Sequence, residues 1–387
     1  MKRYDAIVVG CGLSGAVIAR HLAEEKNQKV LIWDRRNHIG GNMYDYVNEA
    51  GILVHMYGPH TFHTKKKELF DYMCKYSEWD EYKLTCGAEI DGKYTPTPFN
   101  FQTVDDFFDK EKADAIKNAI KSAYPNQSTA TVLEMLNHED KLIREYADFL
   151  FEKDYSLYTA KQWGISPSEI DPSVLRRVPL RFNYEVGYFD DEYQYMPRNS
   201  FVEFFDNILN HENITVDLGV EALDRIKLDE TNSSIMVDGQ LYEGILVYTG
   251  AIDELFGCRY GRLPYRSLRF EWKTENKKSF QEAPVVAYPQ AKDFTRITEY
   301  TKLPVQNVGQ KTTYAIEYSL PYKSGETNEP YYPVLTEESQ NLYEKYKKEA
   351  EKYKNLFLSG RLADFKYYNM DQALDRALTI CSEINCR

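Results

Sequence analysis

The chain opens on a change of period. "YDAIVVG", Tyr4 to Gly10, is an apolar run, "SGAVIARHLAEE" then repeats its apolar positions at three- and four-residue spacing, and "KNQ" breaks the pattern before "KVLIWD" ends on Asp34. Strand, amphipathic helix, turn and strand are predicted, a βαβ unit. From Thr103 to about Gln162 the pattern is helical, in "TVDDFFDKEKADAIKNAIKSAY" and "ATVLEMLNHEDKLIREYADFLFEKDY", which predicts an inserted helical domain. Beyond Pro179, aromatic-rich segments lead to a helix at "SFVEFFDNILNH" and short strands at "ITVDLGV" and "GILVYTG", which can return to the first sheet. Alternation in "SLRFEWKT", "APVVAYP" and "TTYAIEYSL" predicts an antiparallel sheet between about Tyr265 and Leu320. "TEESQNLYEKYKKEAEKYKN" reads as an exposed amphipathic helix, "LFLSG" as a last buried strand, and a final helix begins near Met370. No repeat or low-complexity linker separates these regions, so the chain is expected to cross between them.

Composition narrows the function. With 387 residues and 43% hydrophobic content, the chain can bury a substantial core in more than one domain. No apolar run approaches the roughly 18–20 residues of a membrane span, and "MKRYDAIVVG" passes straight into a strand, which predicts neither a span nor a signal peptide and so a cytoplasmic protein. The six cysteines lack CxxC spacing, which suits a reducing compartment and predicts no metal site. A net charge of −12 argues against nucleic-acid or anionic-membrane partners, so any anionic ligand must meet a local cluster of arginines. The 32 tyrosines exceed what a core needs, and some can line a polar-aromatic pocket.

"GCGLSG" sets Gly10, Gly12 and Gly15 in GxGxxG spacing between a strand and a helix. Such a loop needs a tight turn, a bare backbone where pyrophosphate approaches, and close helix–strand packing, with the helix N-terminus facing the phosphates. Asp34, ending the second strand, can accept from a ribose hydroxyl. A nicotinamide site has no evident use for the glycine pair that follows in "DRRNHIGGN", whereas acid, arginine and a later GG resemble the extended fingerprint of FAD proteins with the amine-oxidase-like fold. FAD is therefore expected over NAD, with Arg36 supplying charge to the pyrophosphate. "VYTG" and "FLSGRLADFKYYNMDQAL" fit further strand-end turns at the cofactor. His60 and His63 lack companions at metal-ligand spacing, so a place near the flavin is preferred to a metal site.

Eight blocks carry a fuller resemblance. "HIGGNMYD", "GILVHMYGPHTFHT", "YTAKQWG", "RVPLRF", "YF", "TRITE", "EPYYPV" and "GRLADFKYYNMD", in this order over nearly the whole chain, closely resemble the UDP-galactopyranose mutases, in particular their bacterial branch. The resemblance implies an α/β fold in three parts: an FAD-binding Rossmann-like domain (1–80, 190–260 and 335–387), a helical domain (100–175) and a twisted antiparallel sheet domain (81–99, 176–189 and 261–334). It implies an isomerase that interconverts UDP-galactopyranose and UDP-galactofuranose for cell-surface polysaccharide biosynthesis. In the implied reaction, N5 of reduced flavin attacks the anomeric carbon and displaces the nucleoside diphosphate, and a flavin–sugar iminium lets the ring reopen and reclose without net redox change. An external reductant, NAD(P)H or a reductase, would prime the flavin, and a homodimer is implied.

The site residues carried over by the resemblance are specific. Arg177 and Arg296 would grip the diphosphate, with His60 and His63 near flavin and sugar. Tyr158, Thr159, Trp163, Tyr188, Tyr332, Tyr367 and Asn369 would surround the nucleotide and phosphates. The cofactor would touch Gly10, Gly12, Leu13, Ser14, Gly15, Asp34, Arg35, Arg36, Gly40, Gly41, Asn42, His60, Gly360, Arg361 and Met370. Three departures bear on substrate identity: the family often has Asn at Ala287, Asp at Asn369 and Arg at Gly187. The same chemistry on UDP-N-acetylgalactosamine or a dTDP-deoxysugar therefore stays open. So do an amine-oxidase-type oxidoreductase and, less fitting because the "GG" and "GR" elements look intact, a non-catalytic relative similar to the Rab GDP-dissociation inhibitors.

Overall fold

A computed structural model describes residues 4–163, 179–323 and 328–386. Its first layer is a five-stranded parallel sheet in the order Ile214–Leu218, Val30–Asp34, Ala6–Val9, Ile245–Tyr248, Leu356–Leu358. The two short strands after Pro179 and the late "LFLSG" strand thus join the βαβ unit. Side chains alternate across such a sheet. Ala6, Val8, Val30 and Ile32 pack beneath helices Leu13–Glu24, Phe201–Leu209 and Met370–Asn385, while Ile7, Leu31 and Trp33 pack on the other face against Ile235, Ile252 and Tyr346. Burial on both faces explains why these strands read as unbroken apolar runs.

The second layer is a seven-stranded sheet in the order Tyr332–Pro333, Tyr265–Glu275, Thr312–Pro321, Arg296–Glu299, Val285–Ala287, Cys86–Ile90, Lys93–Thr97. It departs from the antiparallel expectation at one place, where Val285–Ala287 runs parallel to Cys86–Gly87–Ala88. The partners there come from distant chain segments, and no hairpin dictates their sense. Ala88 and Ile90 also enter the core of the helical cluster, with Ile116, Ile143, Tyr146 and Leu150.

The helical runs divide where polar residues cap. The first splits into Phe101–Phe107 and Lys110–Ala123, because Asp109 accepts from the Lys112 N–H at 3.0 Å. The second splits into Val132–Leu136, capped by Thr131, and Lys141–Leu150, where Asp140 accepts from the Leu142 N–H at 2.8 Å. Side-chain oxygens at these positions satisfy the free N–H groups of a first turn and so favour a new start over continuation. A π-helical turn, Phe151–Tyr155, leads into helix Ser156–Trp163. The amphipathic segment near the C-terminus is helix Glu337–Ala350, with Tyr343 and Tyr346 as its buried stripe. Among the described residues no helix is long and apolar enough to cross a membrane.

Candidate active site

At the carboxyl ends of the parallel strands lies an open cleft. All fifteen residues expected to touch a cofactor line it, from Gly10 through His60 to Met370. The glycines are there for steric reasons that can be read individually. A Cβ on Gly15 would sit 2.0 Å from the Gly10 carbonyl oxygen, so helix Leu13–Glu24 could not approach strand Ala6–Val9 with any larger residue. Gly41, at φ +56°, would place a Cβ 2.8 Å from Gly12 Cα. The second glycine pair is thus the wall on which the first loop rests, which accounts for "GG" six residues beyond Asp34. Helix Leu13–Glu24 has no side-chain cap and no acid in its first turn, so its N-terminus presents bare N–H groups to the cleft.

Asp34 organises this end. Its Oδ2 accepts from the Cys11 N–H at 2.7 Å and its Oδ1 from the Arg36 N–H at 2.9 Å, which leaves one lone pair on each oxygen. Arg36 donates to Asn42 Oδ1 at 3.0 Å from both terminal nitrogens, and lies over the Tyr57 ring at 4.1 Å. Glu329 Oε2 accepts from Arg36 at 2.7 Å and Arg35 at 3.0 Å; burial pushes its carboxylate up, but these two cations outweigh it and keep the group below the usual range. Sequence reasoning missed Glu329; it lies inside "NEPYY", but nothing local marks an acid that joins two arginines 293 and 294 positions away. The remaining unforeseen wall includes Val220 to Leu223, Ala251, Glu254 and Tyr331.

His60 and Arg361 also line the cleft, whereas Tyr332, Tyr367, Arg296 and Tyr158 are not among its lining residues. The Arg361 guanidinium lies 4.5 Å from the Tyr332 ring, which stacks on Tyr367 at 4.7 Å and 14°, and Arg361 is fixed by donation to the Tyr368 carbonyl at 2.7 Å. Burial, and then the charges of Arg361 and Arg296, lower the His60 ring to about 4 and so keep it neutral near pH 7; the Gly58 carbonyl opposes this at 2.8 Å from Nδ1. Arg296 binds the buried carboxylate of Glu317 through Nε at 2.8 Å and Nη2 at 2.7 Å, leaving the Nη1 side of the guanidinium outside that pair. Its field reaches the Tyr158 phenol, which burial holds in the neutral, donating form. Thr159 is buried on the same helix.

Other expected residues fall elsewhere. His63 does not line the cleft: its ring stacks on Phe189 at 3.6 Å and its Nδ1 lies 2.6 Å from Asp191 Oδ2. Phe189 in turn meets Tyr188 edge-on at 4.9 Å, so His63 stands behind Tyr188. Asn369 lies on the cleft wall and begins the last helix, its N–H donating to Gln372 Oε1 at 3.0 Å. Ala287 is opposite Arg296 in the sheet register, with Ala88 beyond it. Arg177 lies outside the described residues, as does the side chain of Trp163.

A Rossmann-like layer with an uncapped glycine-loop helix, its cleft lined also by Arg361 and by Glu329 to Tyr331 just ahead of the second sheet's Tyr332–Pro333 strand, defines a dinucleotide-cofactor enzyme. Residues 8–76 match the NAD(P)-binding Rossmann-like domain, and residues 153–367 match the UDP-galactopyranose mutase family. A probable UDP-galactopyranose mutase of Klebsiella pneumoniae is 34% identical over 99% of this chain and 95% of its own length. The UDP-galactopyranose mutase of Mycoplasma pneumoniae is 31% identical, over 99% and 96%, and a dTDP-fucopyranose mutase of Escherichia coli 32% identical, over 98% and 97%. A solved reduced UDP-galactopyranose mutase superposes with a TM-score of 0.76 at 15% identity, covering 100% of this chain and 94% of that one; a putrescine oxidase gives 0.59 at 11%, over 99% of each, a likeness of fold. The chain belongs to the UDP-galactopyranose mutase family, and it is an enzyme, an isomerase of the mutase type.

Proposed function

We propose that the chain interconverts the pyranose and furanose forms of a UDP-linked galactose, with FAD bound in the cleft in its reduced state. The observation that carries the reading is that the glycine loops, Asp34, His60 and Arg361 line one cleft, with the Tyr332–Tyr367 stack packed against Arg361. The residues present fit FAD: Gly12 and Gly41 leave a bare backbone beside the N-terminus of helix Leu13–Glu24, a seat for pyrophosphate, and Asp34 retains acceptor capacity for a ribose hydroxyl. Reduced flavin would supply a nucleophilic electron pair that an oxidised ring lacks. The protein's share is to hold and to exclude. Arg177 and Arg296 would grip the diphosphate as its charge grows, since a planar guanidinium meets two phosphate oxygens at once. Tyr158, Tyr188, Tyr332 and Tyr367 would donate to phosphate and sugar oxygens without adding charge, and neutral His60 would not compete with the arginines for the anion.

The decisive experiment gives dithionite-reduced protein a panel of pyranose nucleotides and looks for furanose products. Many turnovers per flavin reduced are expected, with none from oxidised enzyme; reductant consumed in proportion to product would point instead to ordinary redox chemistry. Protein that neither carries flavin absorbance nor takes up FAD would overturn the cofactor assignment. A dTDP-linked deoxysugar is the second substrate reading, favoured by the dTDP-fucopyranose mutase relative at an identity level with the UDP-galactose relatives, and by the small side chain of Ala287 beside Arg296.

A further inference from the structure

His55 ends strand Leu53–His55, five residues ahead of His60, and its ring is fully buried against Phe201 and Tyr300, each 5.6 Å away between centroids. Its Nδ1 accepts from the backbone N–H of His60 at 3.1 Å. That contact requires a bare Nδ1, so the neutral ring must carry its proton on Nε2. Nε2 is buried and has no hydrogen-bond partner among the described residues. A leucine of similar bulk would avoid this unmet donor, which is costly in a core. What the imidazole provides is the acceptor for residue 60. A second bond, His60 Nδ1 to the Gly58 carbonyl, together with Gly58 at φ +95°, completes a closed loop that carries His60 into the cleft.

We infer that His55 is a positioning residue for the reaction: as the Nε2–H tautomer it holds the His60 backbone, and through it the place of the His60 ring beside the cofactor. The inference rests on the cofactor reading above for its kinetic consequence, but not for its tautomer. His60 sits on a loop rather than on a strand or helix, so its reach into the cleft depends on these bonds. A displacement of about 1 Å at such a group can cost on the order of a hundredfold in rate.

The test compares side chains by where they place an acceptor. In His55→Asn the amide oxygen falls near Nδ1, whereas in His55→Gln it falls near Nε2. Holoenzyme of each, with His55→Leu alongside, is examined for melting temperature, the visible spectrum of bound flavin, kcat and KM. His55→Asn is expected to keep the parent spectrum and kcat within a few fold. His55→Gln and His55→Leu are expected to shift the spectrum and lose roughly tenfold or more in kcat with KM near the parent value. Equal behaviour of the Asn and Gln variants overturns the inference, and that comparison stands even if His55→Leu does not fold. Side-chain nitrogen NMR of histidine-labelled protein, with and without flavin, reads the tautomer directly. A protonated Nδ1 on His55 at neutral pH overturns the assignment whatever the cofactor proves to be.

Discussion

At the scale of single residues, Arg296 has one partner in the fold and, on the proposed reading, a second in the diphosphate. Glu317 holds one edge of its guanidinium in a nearly buried pair, so removing the arginine strands a carboxylate and, on that reading, also removes a ligand contact. Arg296→Ala is therefore expected to lower the melting temperature, by a loss on the order of 3–5 kcal/mol, and to cut turnover severely. Adding Glu317→Gln should recover much of the stability and none of the turnover. If turnover returns with stability, Arg296 is structural only. Arg177→Ala should leave flavin bound and reduce turnover by at least the roughly 1.5–3 kcal/mol of one charge-assisted contact. His55 makes a prediction about acid. Burial, and then the neighbouring His60, lower its ring to about 3, so the unfolded chain takes up a proton near 6.5 that the folded chain refuses. Stability from this group is fully present above pH 6.5 and is lost as pH falls towards 3, at about 1.4 kcal/mol per pH unit. Denaturant titrations of His55→Asn between pH 6.5 and 4 should show a shallower decline than the parent; parallel curves would remove His55 from the account.

At the scale of elements, helix Ser156–Trp163 is the piece most dependent on others. Lys161 donates from Nζ to the carbonyls of Tyr288 at 2.5 Å, Ala291 at 2.7 Å and Phe294 at 2.9 Å, all in the segment that leads into strand Arg296–Glu299. The helix that carries Tyr158 and Thr159 is thereby bound to the strand that carries Arg296. Lys161→Met keeps the aliphatic stem and removes three bonds, each worth about 1 kcal/mol or more. KM for the nucleotide sugar should rise roughly tenfold or more while flavin retention is unchanged; loss of flavin with unchanged KM would mean the clamp serves the other end of the cleft. Capping belongs to this scale too. Asp109, Thr131 and Asp140 divide runs whose apolar pattern reads as continuous, because a side-chain oxygen at a helix start outweighs the small gain from extending the previous turn.

At the scale of the whole molecule, the seven-stranded sheet meets the helical cluster through Ala88 and Ile90. A cross-strand row Ala88, Ala287, Arg296, Glu317 crosses the seven-stranded sheet and puts two small residues next to the guanidinium. If that space selects the sugar nucleotide, Ala287→Asn together with Asn369→Asp should move the ratio of kcat/KM between UDP-galactose and a dTDP-deoxysugar towards UDP-galactose. An unchanged ratio would make both positions local repacking. Much of the molecule was legible in order along the chain. The βαβ unit, the glycine loop with its second glycine pair, the late strand and the final helix follow from hydrophobic period and from steric demands within a few dozen residues, and these local signals survive in any context. The glycine fingerprint and the family blocks likewise named residues that one cleft gathers. The parallel pairing of Val285–Ala287 with Cys86–Ala88, the Glu329 bridge to Arg35 and Arg36, the capture of Arg296 by Glu317 and the turning of His63 towards Asp191 were left to tertiary structure. Each depends on which surfaces meet after the chain has crossed between layers. A charge or a strand edge carries no mark of its partner until packing has brought the two together and removed the water between them.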